Sequence, residues 1–175
     1  MKVILINGSG RTGKDNFVIY FKKNYKYKCI NWSTIDKVKK VSKRNFGWNG
    51  EKTNEARKFL SEIKRIWGEY NNGPFMNMVD RISEHFSKLD KKEKKNFIYF
   101  VHCREPYEIQ KFVDKYKKDC ITELLKREDR EVPDNDADKN VANFNYDYII
   151  DNNGCKKDLE KEAIKFIEKI KKASN

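Results

Sequence analysis

The sequence predicts an α/β fold: one parallel sheet of about five strands with helices on both faces. Three observations carry this. Short apolar runs alternate with helix-length amphipathic segments from one end of the chain to the other. The first run, Lys2 to Asn7, has an unbroken apolar centre at Val3-Ile4-Leu5-Ile6, as a strand buried on both faces requires. The apolar runs stay well short of the roughly 18 residues that would span a membrane.

Each element follows from its own pattern. Asp15 to Asn24 carries Phe17, Val18, Tyr20 and Phe21 and reads as the first helix. Tyr27 to Trp32 reads as the second strand. A long helical stretch follows. Ala56, Phe59, Leu60, Ile63, Trp67 and Tyr70 recur at helical spacing, and so do Phe75, Val79, Ile82, Phe86 and Leu89. Gly73-Pro74 separates the two, with proline suited to a helix start. The lysine-rich stretch Lys91 to Lys95 reads as a loop. Asn96 to Cys103 is a strong buried strand, and Pro106 opens a helix with Ile109, Phe112, Val113 and Tyr116 on one face. Asp119 to Leu125 is a fourth strand and Tyr146 to Ile150 a fifth. Between them, Lys126 to Phe144 is polar, charged and poor in aliphatic residues, as an exposed, mobile segment is. Asn152-Asn153-Gly154 is a turn, and Leu159, Ala163, Phe166, Ile167 and Ile170 make the last helix amphipathic.

A chain of 175 residues suits one domain with its own core. An aromatic share of 13% argues against disorder despite 38% charged residues. The net charge of +12 fits either lysines spread over solvated helix faces or a polyanionic ligand. Cys29, Cys103, Cys120 and Cys155 lack metal-ligand spacing, and His85 and His102 complete no zinc pattern. Free thiols in a reducing, cytoplasmic compartment are expected. No membrane partner is expected, and nucleic acid is not expected either, since no recognisable nucleic-acid module is present.

The chemistry is concentrated at Gly8-Ser9-Gly10-Arg11-Thr12-Gly13-Lys14, which fits G-x-x-x-x-G-K. A hydrophobic strand runs into it and a helix runs out. Glycines let backbone N–H groups converge on phosphate oxygens, the helix N-terminus adds partial positive charge, and Lys14 reaches the terminal phosphates. A nucleoside triphosphate is the ligand this pattern implies. The residue after the lysine is Asp15, where the motif usually has serine or threonine. An acid suits the first turn of a helix. Beside a triphosphate, however, a bare carboxylate is repelled unless a magnesium ion lies between them, which makes Asp15 a metal candidate, directly or through water. Arg104 follows a buried strand at its carboxyl end, where ligands bind in open α/β sheets. It is therefore a candidate for a phosphate, with pairing to a nearby acid as the structural alternative.

The order of elements resembles the nucleoside monophosphate kinase superfamily. It is most similar to the phage-type deoxynucleoside monophosphate kinases and their relatives, which include animal-type phosphomevalonate kinases. The resemblance rests on Gly13-Lys14-Asp15, on Ser33-Thr34-Ile35-Asp36-Lys37-Val38-Lys39, on Trp48-Asn49-Gly50-Glu51-Lys52 followed by Ala56-Arg57-Lys58-Phe59-Leu60, on Cys103-Arg104-Glu105-Pro106, and on Tyr146 to Gly154. It implies a single P-loop kinase domain over 1–175, with a helical acceptor-binding insertion at about 35–90 and a lid at about 126–144. Relatives often carry an aspartate before the arginine that ends the third strand. Here that stretch is Val101-His102-Cys103-Arg104, and His102 reads as structural.

The resemblance implies ATP- and magnesium-dependent phosphoryl transfer to a small phosphorylated acceptor, a nucleoside or deoxynucleoside monophosphate. Phosphomevalonate or another small phosphate ester is the alternative acceptor. A nucleotide-dependent nucleic-acid-binding protein is the alternative from another class. Lys14, Arg104, Arg127 and Arg130 are the catalytic candidates, the last two on the lid. Asp36, Arg57 and Arg104 are the acceptor candidates. Gly8 to Asp15, with Arg11 facing solvent or the lid, and Asn152 and Gly154 are the donor candidates. Asp36 is equally explained as a helix-start acid, and Asn152 and Gly154 as a simple turn.

Overall fold

A computed structural model of the chain describes residues 1–26, 28–128 and 140–172. Strands β1 (Lys2–Asn7), β2 (Cys29–Ser33), β3 (Ile98–His102), β4 (Cys120–Lys126) and β5 (Tyr148–Asp151) form one sheet in the order β2-β3-β1-β4-β5, every pair parallel. Helices α1 (Lys14–Asn24) and α7 (Lys156–Lys172) cover one face. Helices α4 (Gly73–Ser87) and α6 (Pro106–Tyr116) cover the other. Helices α2 (Asp36–Asn45) and α3 (Asn54–Asn71) pack on each other and on α4. This is the three-layer α/β architecture that the sequence predicts, a parallel sheet of five strands with helices on both faces. Among the described residues, no helix is long and apolar enough to cross a membrane. The four cysteines are free thiols.

Alternation along the strands sorts two cores. Ile4 and Ile6 of β1 join Phe17, Phe21, Phe166 and Ala163 beneath α1 and α7. Val3 and Leu5 join Met78, Ile82, Ile109 and Phe112 beneath α4 and α6.

Five expectations are corrected. Lys91 to Lys95 is not a loop: Lys91–Asn96 is a short helix, α5. Asp90 caps it, accepting from the Glu93 backbone N–H at 2.7 Å, which no apolar periodicity could reveal. That helix takes Asn96, so β3 begins at Ile98. The second strand runs Cys29–Ser33 rather than Tyr27 to Trp32, because its ladder starts where Cys29 meets Ile98. The fifth begins at Tyr148 because the Asp147 side chain takes a ladder position, accepting from the Thr122 N–H at 2.8 Å and its hydroxyl at 2.9 Å. The 126–144 segment is not polar and exposed throughout: Val141 is buried and Phe144 half-buried, both in the α4/α6 core. Residues 129–139 of it, with Arg130, lie outside the described residues.

One core residue breaks the apolar rule. Glu123 lies between Ile121 and Leu125 on β4, facing the α1/α7 side, and is 0% exposed. Neither carboxylate oxygen has a hydrogen-bond partner among the described residues. Burial alone pushes its carboxyl well above the ordinary value, so folding favours the neutral acid. The unfolded chain binds fewer protons above the ordinary carboxylate pKa. The stability Glu123 allows is therefore full below about 4.5 and is lost as pH rises towards the folded value, at about 1.4 kcal/mol per pH unit. Denaturant titrations between pH 5 and 8 should show a flatter profile in Glu123→Gln than in the parent. Parallel profiles would mean that the side chain is charged or solvated in the fold.

Candidate functional site

Parallel strands deliver their carboxyl ends to one edge, and the loop motif lies there. Asn7, the last residue of β1, is fully buried, and its amide is shared among three segments. Its Oδ1 accepts from the Gly8 N–H at 2.8 Å, and its Nδ2 donates to the Arg104 carbonyl at 3.0 Å and to the Tyr146 hydroxyl at 2.6 Å. The Tyr146 hydroxyl in turn donates to the Val141 carbonyl at 2.7 Å.

Two glycines are required by geometry. Gly8 has φ 146°, and a Cβ there would lie 2.5 Å from the Leu125 carbonyl oxygen. Gly13 has φ 97°, and a Cβ there would lie 2.5 Å from Asn152 Nδ2. Arg11, exposed, is also left-handed at φ 66°. Thr12 donates from its hydroxyl to the Ser9 carbonyl at 3.0 Å. Lys14 Nζ reaches back into the loop and donates to the carbonyls of Gly8 and, at 2.7 Å, Ser9, with Thr12 Oγ1 at 3.3 Å. The loop is thus a closed ring with an ammonium at its mouth.

Asn152 has a different position from the one expected of a simple turn. It is buried, its backbone N–H pairs with the Lys126 carbonyl at 2.8 Å, and its side chain donates to the Thr12 carbonyl at 2.8 Å. It braces the loop from the end of β5. Gly154, two residues on, is exposed beside Asp158. Nothing in the sequence pattern signals the Asn152 contact, which joins residues 140 positions apart.

The remaining candidates come from four places: the end of β3, α2, α3 and the residue after β4. His102, at the end of β3, is mostly buried, and its Nε2 lies 2.8 Å from Asn31 Oδ1 on β2. It also lies 3.5 Å from Asp15 Oδ1, a side chain 85% exposed. Burial, the largest cause, pulls the imidazole down to about 4. Lys14 and Arg104 add to this, while Asp15 and Asp36 oppose it. His102 is therefore neutral at pH 7, with Nε2–H as donor to Asn31. It touches Asp15 and lies within electrostatic reach of Lys14, Asp36 and Arg104, a position that sequence reading missed.

Asp36 opens α2 and accepts from the Ser33 N–H at 2.9 Å. The same oxygen pairs with Arg81 of α4 at 3.2 Å, and the Arg81 guanidinium lies 4.0 Å over the Trp32 ring. Sequence reading gives no sign of Arg81, because its helical stripe marks it only as solvent-facing. Arg57 is half-buried in the first turn of α3. Arg127 follows β4 directly.

Behind Arg104 lies a buried polar cluster. Glu108 of α6 accepts from Lys64 Nζ of α3 at 2.5 Å, from the Cys103 thiol at 3.1 Å and from the Thr34 hydroxyl at 3.3 Å. Burial works against the Lys64 charge, yet Glu108, Cys103 and Tyr107 together outweigh it and hold the ammonium above its ordinary value. Burial, reinforced by Glu108, pushes the Cys103 thiol well above its own. This cluster ties α3 to the sheet edge.

No family model and no curated protein matches the chain. A solved structure of a Mycobacterium tuberculosis APS kinase mutant aligns over 95% of this chain and 96% of that one, at 9% identity and a TM-score of 0.44. At that distance the likeness lends this chain no residue roles.

Proposed function

We propose that this protein transfers the γ-phosphate of ATP to a small phosphorylated acceptor, with a nucleoside or deoxynucleoside monophosphate as the acceptor class. One observation carries the reading: a glycine loop with Lys14 folded back across its mouth shares one sheet edge with Asp15, Asp36 and Arg104, whose charges all act on His102. On this reading α2 to α4 form the acceptor-binding insertion, and the 126–144 segment, with Arg127, is the lid.

The residues present suit magnesium. Asp15 offers an exposed carboxylate, and no cluster of three metal-ligating side chains occurs among the described residues. Magnesium commonly takes one protein carboxylate and fills its shell with phosphate oxygens and water. When bound, it supplies charge neutralisation at the transferring phosphates. The chain's own residues do the rest. Loop N–H groups and Lys14 hold the donor phosphates. Arg104, with Arg57, holds the acceptor's phosphate, and Asp36 orients the acceptor. A phosphate acceptor is already anionic at pH 7 and needs no general base. That agrees with a His102 held neutral and engaged by Asn31.

An ADP-release screen tests the reading, using ATP and magnesium against ribo- and deoxyribonucleoside monophosphates, phosphomevalonate and unphosphorylated nucleosides. Stimulation by a monophosphate is expected. Silence with every phosphorylated acceptor, or preference for a nucleoside, would sink it. The metal assignment has its own check. Asp15→Asn should raise the magnesium needed for half-maximal turnover roughly 10- to 150-fold, the equivalent of one charge-assisted contact of about 1.5–3 kcal/mol. Metal-free ATP binding should stay near the parent's. An unchanged magnesium titration would leave Asp15 as a helix-start acid.

A further inference from the structure

The proposed reaction uses one edge of the sheet and leaves most of the positive charge unexplained. That charge is unevenly spread. Residues 22–28 hold Lys22, Lys23, Lys26 and Lys28 with no acid, and residues 88–95 hold Lys88, Lys91, Lys92, Lys94 and Lys95 against Asp90 and Glu93. These 15 positions account for seven of the chain's twelve net charges.

The fold brings the two segments together at the amino ends of β2 and β3, away from the phosphate loop. Lys28 Nζ pairs with Glu93 at 2.6 Å, and the Tyr25 hydroxyl donates to the Asn96 carbonyl at 3.1 Å. Between them lies an open cleft of about 640 Å³. Its lining joins Lys22, Lys28 and Lys88 to Glu93, the partner of Lys28, and to the apolar Ile30 and Leu89 above the buried Phe97.

Helix stability accounts for part of this charge and is opposed by the rest. Lys22, Lys23, Lys94 and Lys95 lie in last turns, where cations complement the helix dipole. Lys91 and Lys92 open α5, where the dipole disfavours them, and Lys91 and Lys95 form a like-charge i,i+4 pair. Lys26 and Lys28 lie on no helix. Lys23, Lys28 and Lys88 are paired with Glu160, Glu93 and Glu84, whereas helix stability accounts for none of Lys26, Lys91 and Lys92, and the excess on this face is charge that an anionic partner would neutralise.

We infer that this face binds single-stranded nucleic acid through its phosphate backbone. The cations are all lysines, hydrated point charges that suit backbone tracking better than bidentate base reading. A concave groove with an apolar floor accommodates unstacked bases, whereas a duplex presents none. Among the described residues of both segments, no large apolar side chain is exposed, so the face lacks what an amphipathic membrane contact would insert.

The test is fluorescence anisotropy with a labelled oligothymidylate of about 20 nucleotides, long enough to exceed one single-strand site. Binding should fall steeply with salt and survive saturating ATP with magnesium. The triple variant Lys22→Glu/Lys92→Glu/Lys95→Glu should bind at least about tenfold more weakly, with the log–log salt slope reduced by about 2, near 0.7 for each phosphate no longer neutralised. Its ATP affinity should not change. The variant Lys39→Glu/Lys40→Glu/Lys43→Glu on α2 makes the same change in net charge and should keep the parent's affinity. Equal loss in the two triples, displacement of the strand by ATP, absence of salt-dependent binding, or binding to phosphatidylserine vesicles instead of the strand would each overturn the inference.

Discussion

Lys14→Ala is expected to abolish turnover and weaken ATP binding by roughly 1.5–3 kcal/mol, about 10- to 150-fold in Kd. The ammonium already donates to the loop carbonyls of Gly8 and Ser9, so it stands preorganised where terminal phosphates would lie. On the proposed function its share in the transition state would exceed its share in binding, because charge on the transferring group has to be stabilised as it shifts. A rival account makes Lys14 only a brace for the loop. Under that account Lys14→Met, which keeps the stem, should lower the Tm of the free protein and leave turnover largely intact. Calorimetry, turnover and thermal melting on both variants separate the two. Parental ATP affinity and turnover in Lys14→Ala would remove the proposed function.

Glu108→Ala is expected to cost about 3–5 kcal/mol of stability, the usual consequence of removing one partner from a buried ion pair. Glu108 is 3% exposed and is the shared acceptor for Lys64, Cys103 and Thr34. Its loss strands a buried ammonium and frees α3 from the sheet edge. The double variant Lys64→Met/Glu108→Leu should recover most of the loss, since paired removal leaves no uncompensated charge. Urea titrations of the three proteins give the comparison. A single-variant loss below about 1 kcal/mol would mean that water reaches the cluster.

Elements whose residues interact with their own neighbours were legible in the sequence. Val3 to Ile6 is apolar at every position, Pro106 announces its helix, and Gly13-Lys14 marks the strand-to-helix turn. Helix α5 was not legible, because its stability rests on the Asp90 cap and four lysines mask any stripe. The loop and its lysine were equally plain among the candidate site residues. Asn152 on the Thr12 carbonyl, His102 on Asn31 and Lys64 on Glu108 were not. Each joins polar groups 44 to 140 positions apart, and periodicity reports only which face of an element is apolar. Lys64 and Arg81 look like ordinary solvent-facing positions until another helix is packed beside them.

The strand order has a consequence for how the chain is made. β1 has neighbours only in β3 and β4, and β2 only in β3. No two strands within the first 97 residues pair with each other. A growing chain therefore carries Val3-Ile4-Leu5-Ile6 without a ladder partner until β3 has been synthesised and has left the ribosome. At about 5–20 residues per second, that interval lasts on the order of 5–20 seconds, with two strand edges open to other chains. During that time only the helices can shelter the nascent sheet. The long helical stretch ahead of β3 supplies them first, before any strand they will cover has found its neighbour.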